Sequence, residues 1–350
     1  MADQLAPPAD AGPCAVPRPA AATRRRRLLA GLGPLAGALL ATLVAVRFDL
    51  PPAVPGIPVP GALVDYGLPI ARALTDLAAA AMFGAGLVPL LAPGTPARQR
   101  AGLRLSLAAA VVLIAAALES VLLETANLWP GRPLDPGLLA AYVGAEPTGQ
   151  ALLATAGFGL VSLCGNWLSL YRPWVLPAEL RLIIAGLAVL PLPLTGHGED
   201  TLYHGLIMLS REAHVLAATA WTGGLFALAV LVFGHRPGLA VALPRFSTLA
   251  TVALGTVGVT GIADALVELG STPGVGLGGL WHSPYGLIAL AKLACLMLLA
   301  TLGGRIRFGL LPAVLAGRRV ALFGWVGVEL TVMGIAYGLA AVLANSPVVS

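Results

Sequence analysis

The chain has 350 residues, 58% hydrophobic and 11% charged, with a formal net charge of +5 and a mean hydropathy of +0.88. A soluble globular domain carries about 25% charged residues, so this composition is that of an integral membrane protein. The only lysine, Lys292, follows Ala291, which removes the Gly-Lys pair of a Walker phosphate loop and excludes an ATP-driven pump built of this chain alone.

Residues 1–23 are rich in Pro and Ala without periodicity, and a disordered cytoplasmic tail is expected there. Arg24–Arg27 then precede an apolar run, 28–46. That run is long for a signal-peptide core (about 7–15 residues) and lacks a following A-x-A site, so it reads as an uncleaved first span. Further apolar runs lie near 69–91, 103–123, 149–170, 179–195, 213–233, 246–268, 284–303 and 320–344. Each approaches the roughly 20 residues that cross a bilayer as a helix. None shows the period-2 alternation of barrel strands, and lipid admits only helices or closed barrels. The expected fold is therefore an all-α polytopic transmembrane bundle of about nine spans. Five would lie in an N-terminal membrane region, 24–195, and four in a C-terminal one, 196–350.

With the N-terminus in the cytoplasm, the inner segments hold Arg18, Arg24–Arg27, Arg98, Arg100, Arg104, Arg172, Arg181, Arg236, Arg245, Arg305, Arg307, Arg318 and Arg319. The outer segments hold only Arg47, Arg72, Arg132 and Arg211. This asymmetry follows the positive-inside rule and would leave the C-terminus outside. It accounts for the basic charge without nucleic acid. The outer side is acidic, and His197, His204, His214 and His282 fall there or at the outer membrane edge; only His235 falls inside. An acidic, histidine-bearing outer mouth suits cation capture.

The polar stretch HGEDTLYHGLIMLSREAH, 197–214, stands out from its apolar surroundings. His197, Glu199 and Asp200 sit on a glycine-bearing turn, and His204 and Met208 are spaced i, i+4 on one helix face. Imidazole with carboxylate suits divalent Cu, Zn or Ni, and imidazole with thioether suits Cu(I). The plainer alternative is a solvated loop. His214 opens the sixth run and lies seven residues before Trp221, on nearly the same face. Gly223 and Gly224 of WTGG would let another helix come close. Asp264 and Glu268 share a face near the outer end of the seventh run.

Lys292 and Glu329 fall near the middle of the eighth and ninth runs, where a charge costs about 2.5–3.5 kcal/mol on insertion scales. Their mutual pairing is the cheapest arrangement, structural or as a coupling element. Asp76 and Glu119 are weaker candidates. Gly255, Gly258 and Gly261 read as a stripe for helix packing, and Met82, Met297 and Met333 as isolated. Cys14, Cys164 and Cys295 show no metal or redox spacing. No catalytic constellation emerges, and the chain is not expected to be an enzyme.

The order of TGH (195–197), H-x6-WTGG (214–224), PRFSTLA (244–250), TGIADAL (260–266), SPYGLIALAK (283–292), Glu329 and VLANSP (342–347) resembles the copper resistance protein D (CopD) family. Spans one to five resemble it only in hydropathy and position. The resemblance implies a multi-pass bacterial inner-membrane protein of copper resistance or uptake, acting with a periplasmic copper-binding partner of the CopC type. It carries over His197, His214 and Trp221 as the outer histidines and the motif behind them, and Lys292 and Glu329 as charged positions of the last helices. The long, Gly-rich loop 269–282 with His282 departs from the pattern. The reading is a copper permease, with His197, His204, His214, Glu199, Asp200, Met208 and His282 as metal-binding residues. Trp221, Asp264, Glu268, Lys292 and Glu329 would serve transport or coupling, and the oxidation state of copper, Cu(I) or Cu(II), is open. The alternatives are a haem-binding electron carrier using two outer histidines, a copper-holding assembly factor for an extracytoplasmic oxidase, and a scaffold.

Overall fold

Many helix starts are written in the sequence as a capping side chain followed by proline, which supplies a fixed φ where no N–H is needed. Thr95 accepts from the Arg98 amide ahead of a helix that begins at Pro96. Asp135 accepts from the Gly137 and Leu138 amides ahead of Pro136. Ser283 accepts from the Gly286 amide ahead of Pro284. His235, the inner histidine, does the same through Nδ1 for the Gly238 amide at 2.9 Å; its role is to cap a helix.

A computed structural model of the chain describes residues 21–49, 59–92, 94–173, 175–195, 204–233, 235–272, 276–315, 322–344 and 346. The α-helices in chain order are α1 (Ala21–Asp49), α2 (Ala62–Leu91), α3 (Pro96–Leu128), α4 (Pro136–Ala145), α5 (Pro147–Tyr171), α6 (Ala178–Leu187) and α7 (His204–Leu231). They continue with α8 (Arg236–Ser271), α9 (Gly279–His282), α10 (Pro284–Arg305), α11 (Leu311–Leu315) and α12 (Leu322–Leu343). A π-helical turn, Ile306–Leu310, joins α10 to α11.

Eight of the described helices are long and apolar enough to cross a membrane. The difference from the nine expected lies at 179–195. There α6 ends at Leu187 and is followed by a turn and a 3₁₀ segment, Leu192–Thr195. Pro191 and Pro193 are the cause: each lacks an amide donor and clashes with the preceding helical turn. The segment still runs from one end of the bundle towards the other. Arg181 lines a small crevice with Arg98 near the start of α3, whereas the Leu192 carbonyl accepts from Arg72 in α2.

The two halves of the chain interleave. α1 packs along α12, and α2 packs along α3 and α7. A Cβ at Gly84 would lie 1.9 Å from the Gly223 carbonyl oxygen, and one at Gly223 would lie 1.9 Å from that of Ala80. The backbones of α2 and α7 therefore touch, as the WTGG sequence foretold for Gly223. Gly334 meets the Pro34 carbonyl in the same way at the α1–α12 crossing.

The largest apolar cluster occupies one end of the bundle. It takes Leu87, Val88 and Leu91 from α2, Leu225 and Leu228 from the end of α7, Leu239, Leu243 and Phe246 from the start of α8, Leu299 and Leu302 from α10, and Leu322, Val326, Leu330 and Met333 from α12. Arg245 and Arg307 tie that end together, donating to the Leu90 and Leu91 carbonyls and to Ser247. At the other end of the same five helices the apolar filling gives way to a cavity.

Candidate functional site

The cavity has a volume of about 550 Å³ and lies among α2, α7, α8, α10 and α12. Three carboxylates line it, Asp76, Asp264 and Glu268, with three cations, Arg72, Arg211 and Lys292, and one described imidazole, His214. In an apolar bundle such groups must be paired or hydrogen-bonded, and most are. Arg72 holds Asp76, one helical turn on, at 3.4 Å and spends a second donor on the Leu192 carbonyl at 2.8 Å. Arg211 holds Glu268 across the α7–α8 gap at 3.2 Å. Asp264 accepts from the Ser210 hydroxyl at 3.1 Å.

His214 is fixed by α8. Its Nδ1 lies 2.8 Å from the Thr260 hydroxyl oxygen. The Thr260 hydroxyl has one proton, and donates it to the Thr256 carbonyl at 2.6 Å. With its proton given to that carbonyl, Thr260 accepts from His214, in the tautomer that carries the ring proton on Nδ1 and the lone pair on Nε2. Gly261 makes room for the ring: a Cβ there would stand 3.1 Å from His214 Cε1. The glycines 255, 258 and 261 are thus not a helix-packing stripe. Gly255 meets nothing within 4 Å, Gly258 meets only Leu296, and Gly261 seats an imidazole.

Lys292 stands apart from the two arginines. It makes no ion pair within 4 Å among the described residues, yet both Asp264 and Asp76 are within Coulombic range of it. The expected pairing with Glu329 does not form. Glu329 is buried, lies outside the cavity lining, and has the Trp221 indole as its neighbour. The indole nitrogen is buried, and no hydrogen bond of ordinary geometry satisfies it. Trp221 lines the cavity, whereas Glu329 does not. Consecutive antiparallel helices at similar depth were not sufficient for pairing, because α10 turns Lys292 towards α2 and α8.

Of the sequence-predicted residues, the structure brings together His214, Trp221, Asp264, Glu268 and Lys292 in the cavity lining, and leaves Glu329 out of it, beside Trp221. His282 is exposed on α9, outside the cavity lining. Met208 is half-buried on the first turns of α7 and also outside it. His197, Glu199 and Asp200 lie outside the described residues, as does the side chain of His204. Among the described residues no group of three or more His, Cys, Asp or Glu side chains is placed to hold a metal ion.

Asp76 belongs to the site, whereas Glu119 is exposed on α3. Arg72, Arg211, Tyr285 and Tyr337 also line the cavity. An arginine one turn from an aspartate inside an apolar run, as at 72 and 76, is the signal that would have found that pair. Nothing in the sequence singles out Tyr337 on α12; only the fold brings it near Thr219, Thr222 and Asp76. Met333, read as isolated, lines the cavity too.

A bundle of apolar helices around a charged, histidine-bearing cavity is the architecture of a polytopic membrane protein. Residues 240–343 match the family model of copper resistance protein D, and residues 63–204 match that of the copper resistance protein D-like N-terminal domain. The chain belongs to the copper resistance protein D family. The likeness extends further towards the N-terminus than motifs alone indicate, taking in α2 to α6 as well as the last helices. His214 and WTGG fall between the two matched stretches. No curated protein and no solved structure gives a match.

Proposed function

We propose that this chain is a copper permease, with the cavity as the vestibule through which the ion leaves the extracytoplasmic side. The observation that carries the reading is His214. It presents a nitrogen lone pair in a cavity whose other walls, on α2 and α8, carry carboxylates. A transit site must bind an ion firmly enough to admit it and weakly enough to release it. Single donors offered by separate helices suit that need better than a closed chelate. Asp264 and Glu268 lower the electrostatic cost of a cation in the vestibule.

In this reading the chain crosses the inner membrane nine times, the fifth crossing being the broken segment 178–195. The N-terminus is cytoplasmic and the C-terminus extracytoplasmic. The arginines at the apolar-cluster end, Arg98, Arg245 and Arg307 among them, then face the cytoplasm, as the positive-inside rule requires. The cavity faces outward, where the polar stretch with His197, Glu199, Asp200 and His204 would take copper from a periplasmic carrier of the CopC type. A haem reading gains no support here, because His214 is the one histidine among the described residues that lines the cavity.

The test is copper content and visible absorption of detergent-purified protein, followed by flux into proteoliposomes. Wild type is expected to bind copper without a Soret band and to pass it. His214→Ala is expected to lose at least tenfold in affinity, about 1.4 kcal/mol, and to keep its elution profile. Unchanged affinity and flux in that variant would sink the site.

A further inference from the structure

Among the described residues the formal charges of the cavity lining balance, and that balance constrains what a cation must do on arrival. Three carboxylates face three basic groups. Two of the three basic groups are guanidinium ions, which keep their protons at any physiological pH. Arg72 is committed to Asp76 and the Leu192 carbonyl, and Arg211 to Glu268. The third is Lys292, an ammonium on a flexible stem, with Asp264 on α8 and Asp76 on α2 in Coulombic range and no ion pair within 4 Å among the described residues.

The surroundings of Lys292 can be taken helix by helix. α2 contributes Asp76 and its partner Arg72; α7 contributes His214 and Arg211. α8 contributes Asp264 and Glu268, α10 itself Tyr285 and Cys295, and α12 Tyr337. An incoming cation at His214 would add a positive charge to a low-dielectric space whose described side chains already balance. Excess charge there is costly, and of the three basic groups only the lysine can shed a proton.

We propose that this chain is a cation–proton exchanger in which Lys292 is the tethered competitor of the transported ion. One monovalent cation binds at His214 as the Lys292 ammonium gives one proton to the outer solution and becomes a neutral amine. Only the N–H bond breaks; the charge of the cavity is unchanged, and nothing is oxidised or reduced. Relief of the competition on the far side, where the amine is protonated again, would drive release. The proposal rests on the copper-permease reading and adds to it the coupling ion and its stoichiometry.

The experiment titrates the detergent-purified full chain with Ag⁺, a redox-inert stand-in for Cu(I). It records bound silver and released protons together in weakly buffered solution. Wild type is expected to release about one proton per bound ion, so its apparent affinity should rise about tenfold for each pH unit. Lys292→Met is expected to bind at least tenfold more tightly without proton release. Lys292→Arg, which keeps the charge and the stem but holds its proton, is expected to bind at least tenfold more weakly. Wild-type binding without proton release, or with an affinity independent of pH, overturns the exchange and leaves the copper reading standing. Release that persists in Lys292→Met and vanishes in His214→Gln overturns it too, by assigning the proton to the imidazole. Absence of Ag⁺ binding by monodisperse wild type overturns both.

Discussion

The α2–α7 contact and the α8–α10 pair are built on opposite plans. The most apolar window of α2 is 56% buried and that of α7 50%, and at their crossing the backbones touch at Gly84 and Gly223. The corresponding window of α8 is only 6% buried and that of α10 22%. Between them, instead of interlocking side chains, lies the cavity with Lys292, Asp264 and Glu268. Close backbone approach in lipid is gained through van der Waals contact between small residues, and it leaves no room for a solute. The loosely held pair retains that room and exposes broad apolar faces, Val252, Val259 and Ile262 on α8 and Met297 and Leu298 on α10. A scaffold of α1, α2, α7 and α12 thus carries a less buried wall of α8 and α10, anchored in the core at one end by Leu243, Phe246, Leu299 and Leu302.

The largest effect should come from breaking the tight side. Gly223→Leu puts a side chain where the Ala80 carbonyl oxygen stands 1.9 Å from an added Cβ. Overpacking of this kind costs about 3 kcal/mol or more, and monodisperse protein should be lost from size-exclusion profiles. Gly255→Leu, on the open side where an added Cβ meets nothing within 4 Å, should leave the profile intact. Equal tolerance of both would erase the distinction between the two regions.

Gly261→Ala comes next. The new methyl would press on His214 Cε1 from 3.1 Å, and the ring must give by a few tenths of an ångström. The expected result is a several-fold loss of copper affinity with little change in thermal unfolding, read by competition with a chelator of known affinity. A loss of stability without loss of affinity would show that the glycine serves α8 rather than the imidazole.

Arg211→Gln removes the bridge that spans the α7–α8 gap. Both partners are about one-fifth exposed, with side-chain exposures of 19% and 21%. Their coupling should be about 1 kcal/mol once screening is allowed for, measured by a double-mutant cycle with Glu268→Gln in thermal unfolding. A coupling near zero would mean that α8 is held by its other contacts. The smallest effect belongs to His282→Ala. The exposed imidazole on α9 lies outside the cavity, and copper affinity should change less than twofold. A larger change would move the site towards the 269–282 loop.

Much of this architecture can be read along the chain. Composition and run length specify a membrane bundle, because lipid forces every crossing segment to close its own backbone hydrogen bonds. The arginine asymmetry separates the two ends, and Arg98, Arg245 and Arg307 do gather opposite the cavity. The seven-residue spacing of His214 and Trp221 put them on one face, and both line the cavity. The fifth run is not one continuous helix: hydropathy averages over Pro191 and Pro193, which break a helix without making it less apolar.

What the sequence by itself determined was the class, the helices and the residues worth watching, since these follow from local periodicity and from the cost of charge in lipid. What only the tertiary structure decided was which charges meet. Lys292 turns to Asp264 and Asp76 rather than to Glu329. Arg72 reaches a carbonyl freed by a broken helix 120 residues away, and Thr260 on α8 holds Nδ1 of His214. Helix rotation and depth set these pairings, and in a bundle of nearly uniform apolar sequence both are fixed by small-residue contacts such as Gly84 on Gly223, whose partners lie far apart in the chain.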